Sequence, residues 1–459
     1  MLHQKIRQAA LLGAALLAAS TALAQSSPNT DNRTLLDLLI AKGVITAGEA
    51  QQLTVDMAKA QAGNDVTTNS ADKYLKRLTL TGRFQVQFAD LGTGITGFQN
   101  NPPAVLPAHP VASEHFLLRR IYLGTKVDFT DNFSGVVNYD FANVSFDAAY
   151  IEWKQSDALV VDAGFRKAPF DYEEVTSSGS LKAIERSPIT RFFDEPNNGR
   201  RLGAESYRTG LYVSGAQDGF FYTVAATNPE RNEYSGDSTG GSTSAVDAIN
   251  GNGGVGNYSN NTNNNFAYYG WAGYGGKFDG GTYKVGAETG YLPDQGGPGA
   301  TLGLGNNLSI YGAFADVTAG NFNLQGEYLD ANDQNAVTVH GVLQSSKPKG
   351  YWIQPSFYLV PKVLEGVVRY SAVDSSNRGV ALSDGIRGAT SGGTMDKMDE
   401  LYVGGNWYIE GNDVKLQFGY IHGESKGAIA PTTATGVVAN GTAIKATTDG
   451  FRSQVQVNF

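Results

Sequence analysis

The stretch Leu78-Thr79-Leu80-Thr81-Gly82-Arg83-Phe84-Gln85-Val86-Gln87-Phe88 alternates apolar and polar side chains with a period of two. Leu78, Leu80, Phe84, Val86 and Phe88 share one face, and Thr79, Thr81, Arg83, Gln85 and Gln87 share the other. Successive side chains of an extended strand point to opposite faces, so this is a strand with one oily side and one wet side. The end of the chain repeats the pattern: Phe451, Val455, Val457 and Phe459 oppose Arg452, Gln454, Gln456 and Asn458.

Between these two segments the same reading predicts strands at 116–129, 133–141, 147–154, 159–166, 203–215, 219–228, 266–279, 282–292, 306–318, 320–331, 350–360, 363–374, 399–410 and 413–424. Most reach the roughly 9–11 residues that a tilted strand needs to cross a bilayer. The connections alternate in length. Short turns at 130–132, 155–158, 216–218, 279–281, 319, 361–362 and 411–412 are interleaved with connections at 89–115, 142–146, 167–202, 229–265, 293–305, 332–349, 375–398 and 425–448, all but one of them long. Tight turns at one rim and long loops at the other are the pattern of an even-stranded membrane barrel. The expectation is an all-β, sixteen-stranded antiparallel transmembrane β-barrel over residues 74–459, preceded by a short N-terminal helical segment. Sixteen strands enclose water, whereas eight would be filled by side chains.

The N-terminus reads as a leader. Lys5 and Arg7 precede an apolar run at 9–19, and Ala22-Leu23-Ala24 is a cleavage signal, which assigns 1–24 to a signal peptide. Residues 25–73 read as a periplasmic unit: helical spacing over 33–61, with a capping pattern at Thr46 and Glu49, then a polar linker. There is no cysteine, so an exported chain must be held by something other than disulfides. The net charge is −9, and the leader's two cations make the remainder more negative, which argues against a nucleic-acid partner. No nucleophile–base pair, metal cluster or phosphate-binding glycine motif is legible, so no catalytic residue, metal or cofactor is expected. A barrel plugged by its loops and acting as an adhesin or enzyme is the alternative.

The chain is most distinctive from 159 to 203. Gly164-Phe165-Arg166-Lys167-Ala168-Pro169-Phe170 is followed by Glu173-Glu174-Val175-Thr176-Ser177-Ser178, Ile184-Glu185-Arg186-Ser187 and Arg200-Arg201-Leu202-Gly203. With Arg119-Arg120, Asn138-Tyr139-Asp140-Phe141 and the leader-like Lys42-Gly43-Val44-Ile45-Thr46, this resembles the phosphate-selective porin O and P family, most closely over 116–228. The resemblance implies an outer-membrane homotrimer, in contact with outer-membrane lipid, whose long loops narrow a pore for small anions such as phosphate. Lys167 matches the family's central lysine, and Asp140 matches the acidic residue near it.

By strand parity Arg83, Arg120 and Arg166 face the lumen, where charge sets ion selectivity by its local field. Arg119 has lipid-facing parity, so it either snorkels to the rim or is turned inward by a bulge. Residues 167–202 are the candidate constriction and carry six basic side chains, among them Arg186 and Arg201, against six acidic ones. A balanced loop stabilises itself by internal ion pairs, the role expected of Glu185 with Arg186. Arg208, Arg369 and Arg452 look isolated, without the run of alternating arginines that would make a ladder. A weakly anion-preferring pore is therefore expected over a tight phosphate specialist.

Overall fold

The computed structural model describes residues 65–66, 76–100, 111–194, 202, 204, 207–228, 266–293, 307–390 and 392–459. The chain divides into a unit of residues 1–65 and a unit of residues 66–459. The expected leader and the helical pattern at 33–61 lie outside the described residues.

Sixteen long antiparallel strands form one closed sheet. They are β1 (Arg77–Phe98), β2 (Val111–Asp128), β3 (Phe133–Asp140), β4 (Ser145–Ser156), β5 (Leu159–Lys167), β6 (Tyr207–Gln217), β7 (Phe220–Thr227) and β8 (Ala267–Phe278). Then follow β9 (Gly281–Leu292), β10 (Leu308–Ala319), β11 (Phe322–Val339), β12 (Lys349–Val360), β13 (Leu364–Asp374), β14 (Lys397–Glu410), β15 (Val414–Lys426) and β16 (Ala443–Asn458). Each strand pairs with the next, and β16 returns to β1 in a register that sets Arg83 opposite Asn458 and Leu91 opposite Gly450. Backbone bonds between Gly82 and Phe459 (2.9 and 3.1 Å) complete the seam. All the predicted strands are present. Several run further than the alternation indicates: β1 continues to Phe98, and β11 to Val339, where a short return strand, Val342–Ser346, folds back on it.

The two faces are inverted relative to a water-soluble protein. On β14, Leu401, Val403 and Ile409 are exposed, while Glu400, Tyr402, Asn406 and Tyr408 are buried. Hydrocarbon cannot satisfy backbone polar groups, so a spanning sheet must close, and its outer face must be apolar. Phe459 belongs to that outer face, and its ring stacks on Phe84 at 5.9 Å. Tight turns use left-handed backbone where the strand twist demands it: Asp218 and Gly219 both have positive φ (52° and 88°) between β6 and β7.

Amide side chains line the inside of the closing seam. Gln85 donates to Gln456 (2.7 Å), Gln87 to Gln454 (2.8 Å), Gln454 to Gln417 (2.7 Å) and Gln417 to Asn406 (3.0 Å). This chain runs across β1, β16, β15 and β14, and it satisfies polar groups that burial would otherwise penalise.

A Cβ at Gly450 would stand 2.2 Å from the Asp90 carbonyl oxygen across the seam, whereas one at Gly366 would meet nothing within 4 Å. Gly450→Val is therefore expected to destabilise the barrel by about 1–3 kcal/mol, as overpacking does. Gly366→Ala is expected to stay within about 0.5 kcal/mol of the parent. The temperature at which the folded barrel loses its compact electrophoretic mobility reads both.

Candidate functional site: a charged passage beside an inward-folded segment

The connection from β5 to β6 does not stay at the rim. Its described part, 168–194, 202 and 204, folds into the barrel and bonds to the wall on several sides. It carries two short helices, α1 (Tyr172–Val175) and α2 (Pro188–Asp194). Asp171 caps α1 by accepting from the Glu174 amide (2.9 Å) and also accepts from the Thr190 hydroxyl (3.1 Å). Ile189, Phe192 and Phe193 are fully buried, so α2 contributes a small apolar core inside a polar tube.

Polar contacts tie this segment across the lumen. Glu327 on β11 accepts from the Tyr172 and Glu173 amides (2.5 and 3.2 Å) and from the Trp352 indole (2.8 Å). Arg83 on β1 donates to Ser178 (2.6 Å) and Ser177 (3.0 Å). Lys182 donates to Glu365 on β13 (2.5 Å) and Ser356 on β12 (2.8 Å), and Lys415 on β15 donates to the Leu181 carbonyl (2.9 Å).

Part of the buried attachment is ionic. Arg119 grips Glu185 with two bonds (2.6 and 3.0 Å), and Arg387 stands 3.4 Å from the same carboxylate. Burial alone would raise the Glu185 carboxyl, but Arg119 and Arg387 beside it hold it well below the ordinary carboxylate range. Asp171 is the opposite case: burial and the neighbouring Glu327 and Glu173 carboxylates push it well above that range. Arg369 bridges Glu173 (2.9 Å) and Glu400 (2.7 Å) at 1 % exposure. Arg452 donates to Gln87 (3.1 Å), which in turn donates to Glu185 (2.8 Å).

Two sequence expectations are corrected here. Glu185 does not pair with Arg186; it pairs with Arg119 and Arg387, while Arg186 pairs with Glu174 (2.8 Å) and donates to the carbonyls of Glu173, Glu174 and Thr176. Arg369 and Arg452 are not isolated, because barrel closure brings them with Arg119 to one patch around Glu173 and Glu185. Their lumen parity was readable in the sequence, but separations of this length hide adjacency across strands. The choice for Arg119 is also resolved. The register slips between Gln85 and Val86, leaving Arg119 as an extra residue of β2, and this bulge turns it inward beside Arg120. A second slip, opposite Asn138 and Tyr139, does the same for Asp147 on β4.

Beside the inward segment lies a cavity of about 370 Å³ lined by four cations, Arg83, Arg166, Lys167 and Arg186, and by one acid, Asp147. Lys167 bonds to the Glu174 carbonyl and stands 3.0 Å from its carboxylate, so Lys167 and Arg186 share one acid. Arg166 pairs with Asp162. Arg83 also donates to Asn458 (2.8 Å). Tyrosine rings back the cations: Tyr122 under Arg83 (5.6 Å), Tyr150 under Arg166 (5.5 Å) and Tyr207 beside Lys167 (5.4 Å). Arg120 sits deeper in the wall and donates to Gln85 (2.8 Å). Asp140 closes the end of β3, accepting from the amides of Ile121 (3.1 Å) and Ala142 (3.0 Å) and from the Asn143 side chain (2.5 Å). The acids around Lys167 are Glu174 and Asp147. Arg201 lies outside the described residues.

The family model of phosphate-selective porin O and P matches residues 110–459. No curated protein sequence matches the chain. Among solved structures, an anion-selective porin from Comamonas acidovorans is similar with a TM-score of 0.51 at 12 % identity, covering 83 % of this chain and 99 % of that one. The outer membrane channel DcaP of Acinetobacter baumannii has a TM-score of 0.49 at 11 % identity over 86 % of this chain and all of its own. OprB of Pseudomonas putida has 0.48 at 11 %, over 84 % and 94 %. At its 12 % identity the Comamonas acidovorans structure speaks to the fold alone. The family match runs from the start of the second strand to the final residue, and on it the chain belongs to the phosphate-selective porin O and P family of bacterial outer-membrane porins.

Proposed function

We propose that this porin is a passive, anion-preferring diffusion pore, and that the segment at 167–202 is its constriction. The observation that carries the reading is the lining of the passage, four cations to one acid. Charges that line a narrow water-filled channel set selectivity through their local field. Lys167, Arg83, Arg166 and Arg186 supply that field at the passage, and Arg119 and Arg120 extend the positive wall.

The same lining argues against a tight phosphate trap. Phosphate capture needs donors that are clustered and not already engaged. Lys167 and Arg186 share Glu174, and Arg166 is paired with Asp162. Phosphate is therefore a permeant and a weak blocker in this reading, with small inorganic and organic anions passing alongside it. Homotrimeric assembly, outer-membrane lipid around the outer face and removal of residues 1–24 complete the proposal, on the strength of the family resemblance and the leader motif.

Lys167→Ala is expected to move the reversal potential in a chloride gradient toward zero and to weaken block by added phosphate. Both quantities unchanged would remove Lys167 from the site. A second outcome concerns the anchor at Glu185. Its carboxyl lies below the unfolded value, so its contribution is complete at neutral pH and fades only as pH falls beneath the ordinary carboxylate pKa of about 4.3. The Glu185 anchor should therefore add no pH dependence to the single-channel conductance between pH 7 and about pH 5. Glu185→Gln strands Arg119 without its counter-ion and should give noisier, larger openings already at pH 7.

A further inference from the structure

One lumen cation is held in a way that anion attraction alone does not explain. Lys284 on β9 has its ammonium 4.8 Å from the ring centre of Phe221, 4.9 Å from Trp271, 5.3 Å from Tyr172 and 5.8 Å from Phe314. Among the described residues it makes no hydrogen bond or ion pair. The acid it feels is Asp316, whose oxygens are already taken by Tyr172 (2.8 Å), Asn323 (2.6 Å) and Gln325 (2.8 Å).

The four rings have two different jobs. Tyr172 and Phe314 are buried and stack nearly parallel at 4.4 Å, which clamps the inward segment to the wall. Phe221 and Trp271 are only partly buried. The Trp271 indole donates to Thr223 (3.1 Å), and both Trp271 and Thr223 line the passage that holds Lys167 and Arg186. Trp271 is therefore the member of the cage that borders the passage, with Lys284 and Phe221 next to it.

Inorganic anions gain nothing from ring faces. A solute that carries a carboxylate on a planar ring gains twice: its charge meets the ammonium, and its ring meets Trp271 and Phe221 in offset or edge contact. Ring surface on a water-filled wall is also poorly hydrated, so covering it is favourable. We infer that a binding site for monoaromatic carboxylates adjoins the passage at Trp271, with the carboxylate at Lys284 and the ring against Trp271 and Phe221. This rests on the anion-pore reading and narrows its solute class.

The test is block of the potassium chloride current through the reconstituted full-length porin by benzoate, cyclohexanecarboxylate, acetate and phosphate. Benzoate is expected to reach half-block at a concentration about tenfold below acetate, the equivalent of roughly 1.4 kcal/mol, with cyclohexanecarboxylate between them. Lys284→Met and, separately, Trp271→Leu should bring benzoate to the acetate level and leave phosphate block in place. Equal block by benzoate and acetate in the parent protein overturns the site, and that comparison needs no variant to fold. Cyclohexanecarboxylate as potent as benzoate overturns the aromatic assignment, and so does benzoate block that survives both substitutions. The chloride-gradient reversal potential in the same bilayers separates the failures: cation preference sinks the pore reading, whereas anion preference with no benzoate advantage sinks this site alone.

Discussion

A backbone amide in hydrocarbon has no partner except another backbone, and the whole molecule is arranged around that constraint. The first strand must find the last. It does so through the register that sets Arg83 against Asn458, with Gly82 and Phe459 bonded at the rim. The Phe459 ring lies over Gly82, filling the space of its missing side chain, and stacks on Phe84. Once the cylinder closes, period-two alternation assigns the strand side chains to the outer or the inner face, except at the bulges of Arg119 and Asp147. The amide ladder of Gln85, Gln87, Gln454, Gln456 and Gln417 then holds the seam from inside.

Closure also creates the interior that the inward segment fills. The described part of that segment holds two helices of only four and seven residues. It borrows order from the wall: Glu327 and Asp316 on one side, Arg83 and Lys415 on another, and the Arg119 and Arg369 patch around Glu173 and Glu185. Buried ion pairs of this kind are weak contributors to stability, because desolvation offsets much of the attraction. Their value here is positional. Each breaks at a cost if one partner is lost, so the segment keeps one geometry beside the passage.

The wall was legible from sequence because a strand crossing a membrane is judged residue by residue. Leu401, Val403 and Ile409 against Glu400, Tyr402, Asn406 and Tyr408 is a local pattern, and the fold reproduces it. The interior was less legible because its contacts join residues far apart. Arg369 and Glu173, or Lys182 and Glu365, carry no signature in the linear order. The pairing of Glu185 with Arg119, in place of its neighbour Arg186, depends on a bulge that a strict alternation cannot show. The aromatic cage around Lys284 was hidden for the same reason: Tyr172 comes from a loop and Phe221, Trp271 and Phe314 from three strands.

The chain has no cysteine, which permits the most direct test of the central claim. Single cysteines placed in turn from residue 400 to residue 409 of β14, in protein reconstituted into bilayers, can be labelled with a fluorophore and exposed to quenchers confined to the lipid or to the water. Positions 401, 403 and 409 should be quenched from lipid alone, and positions 400, 402, 406 and 408 should be shielded from the lipid quencher. Uniform quenching from either phase along the strand would contradict a closed, water-filled barrel.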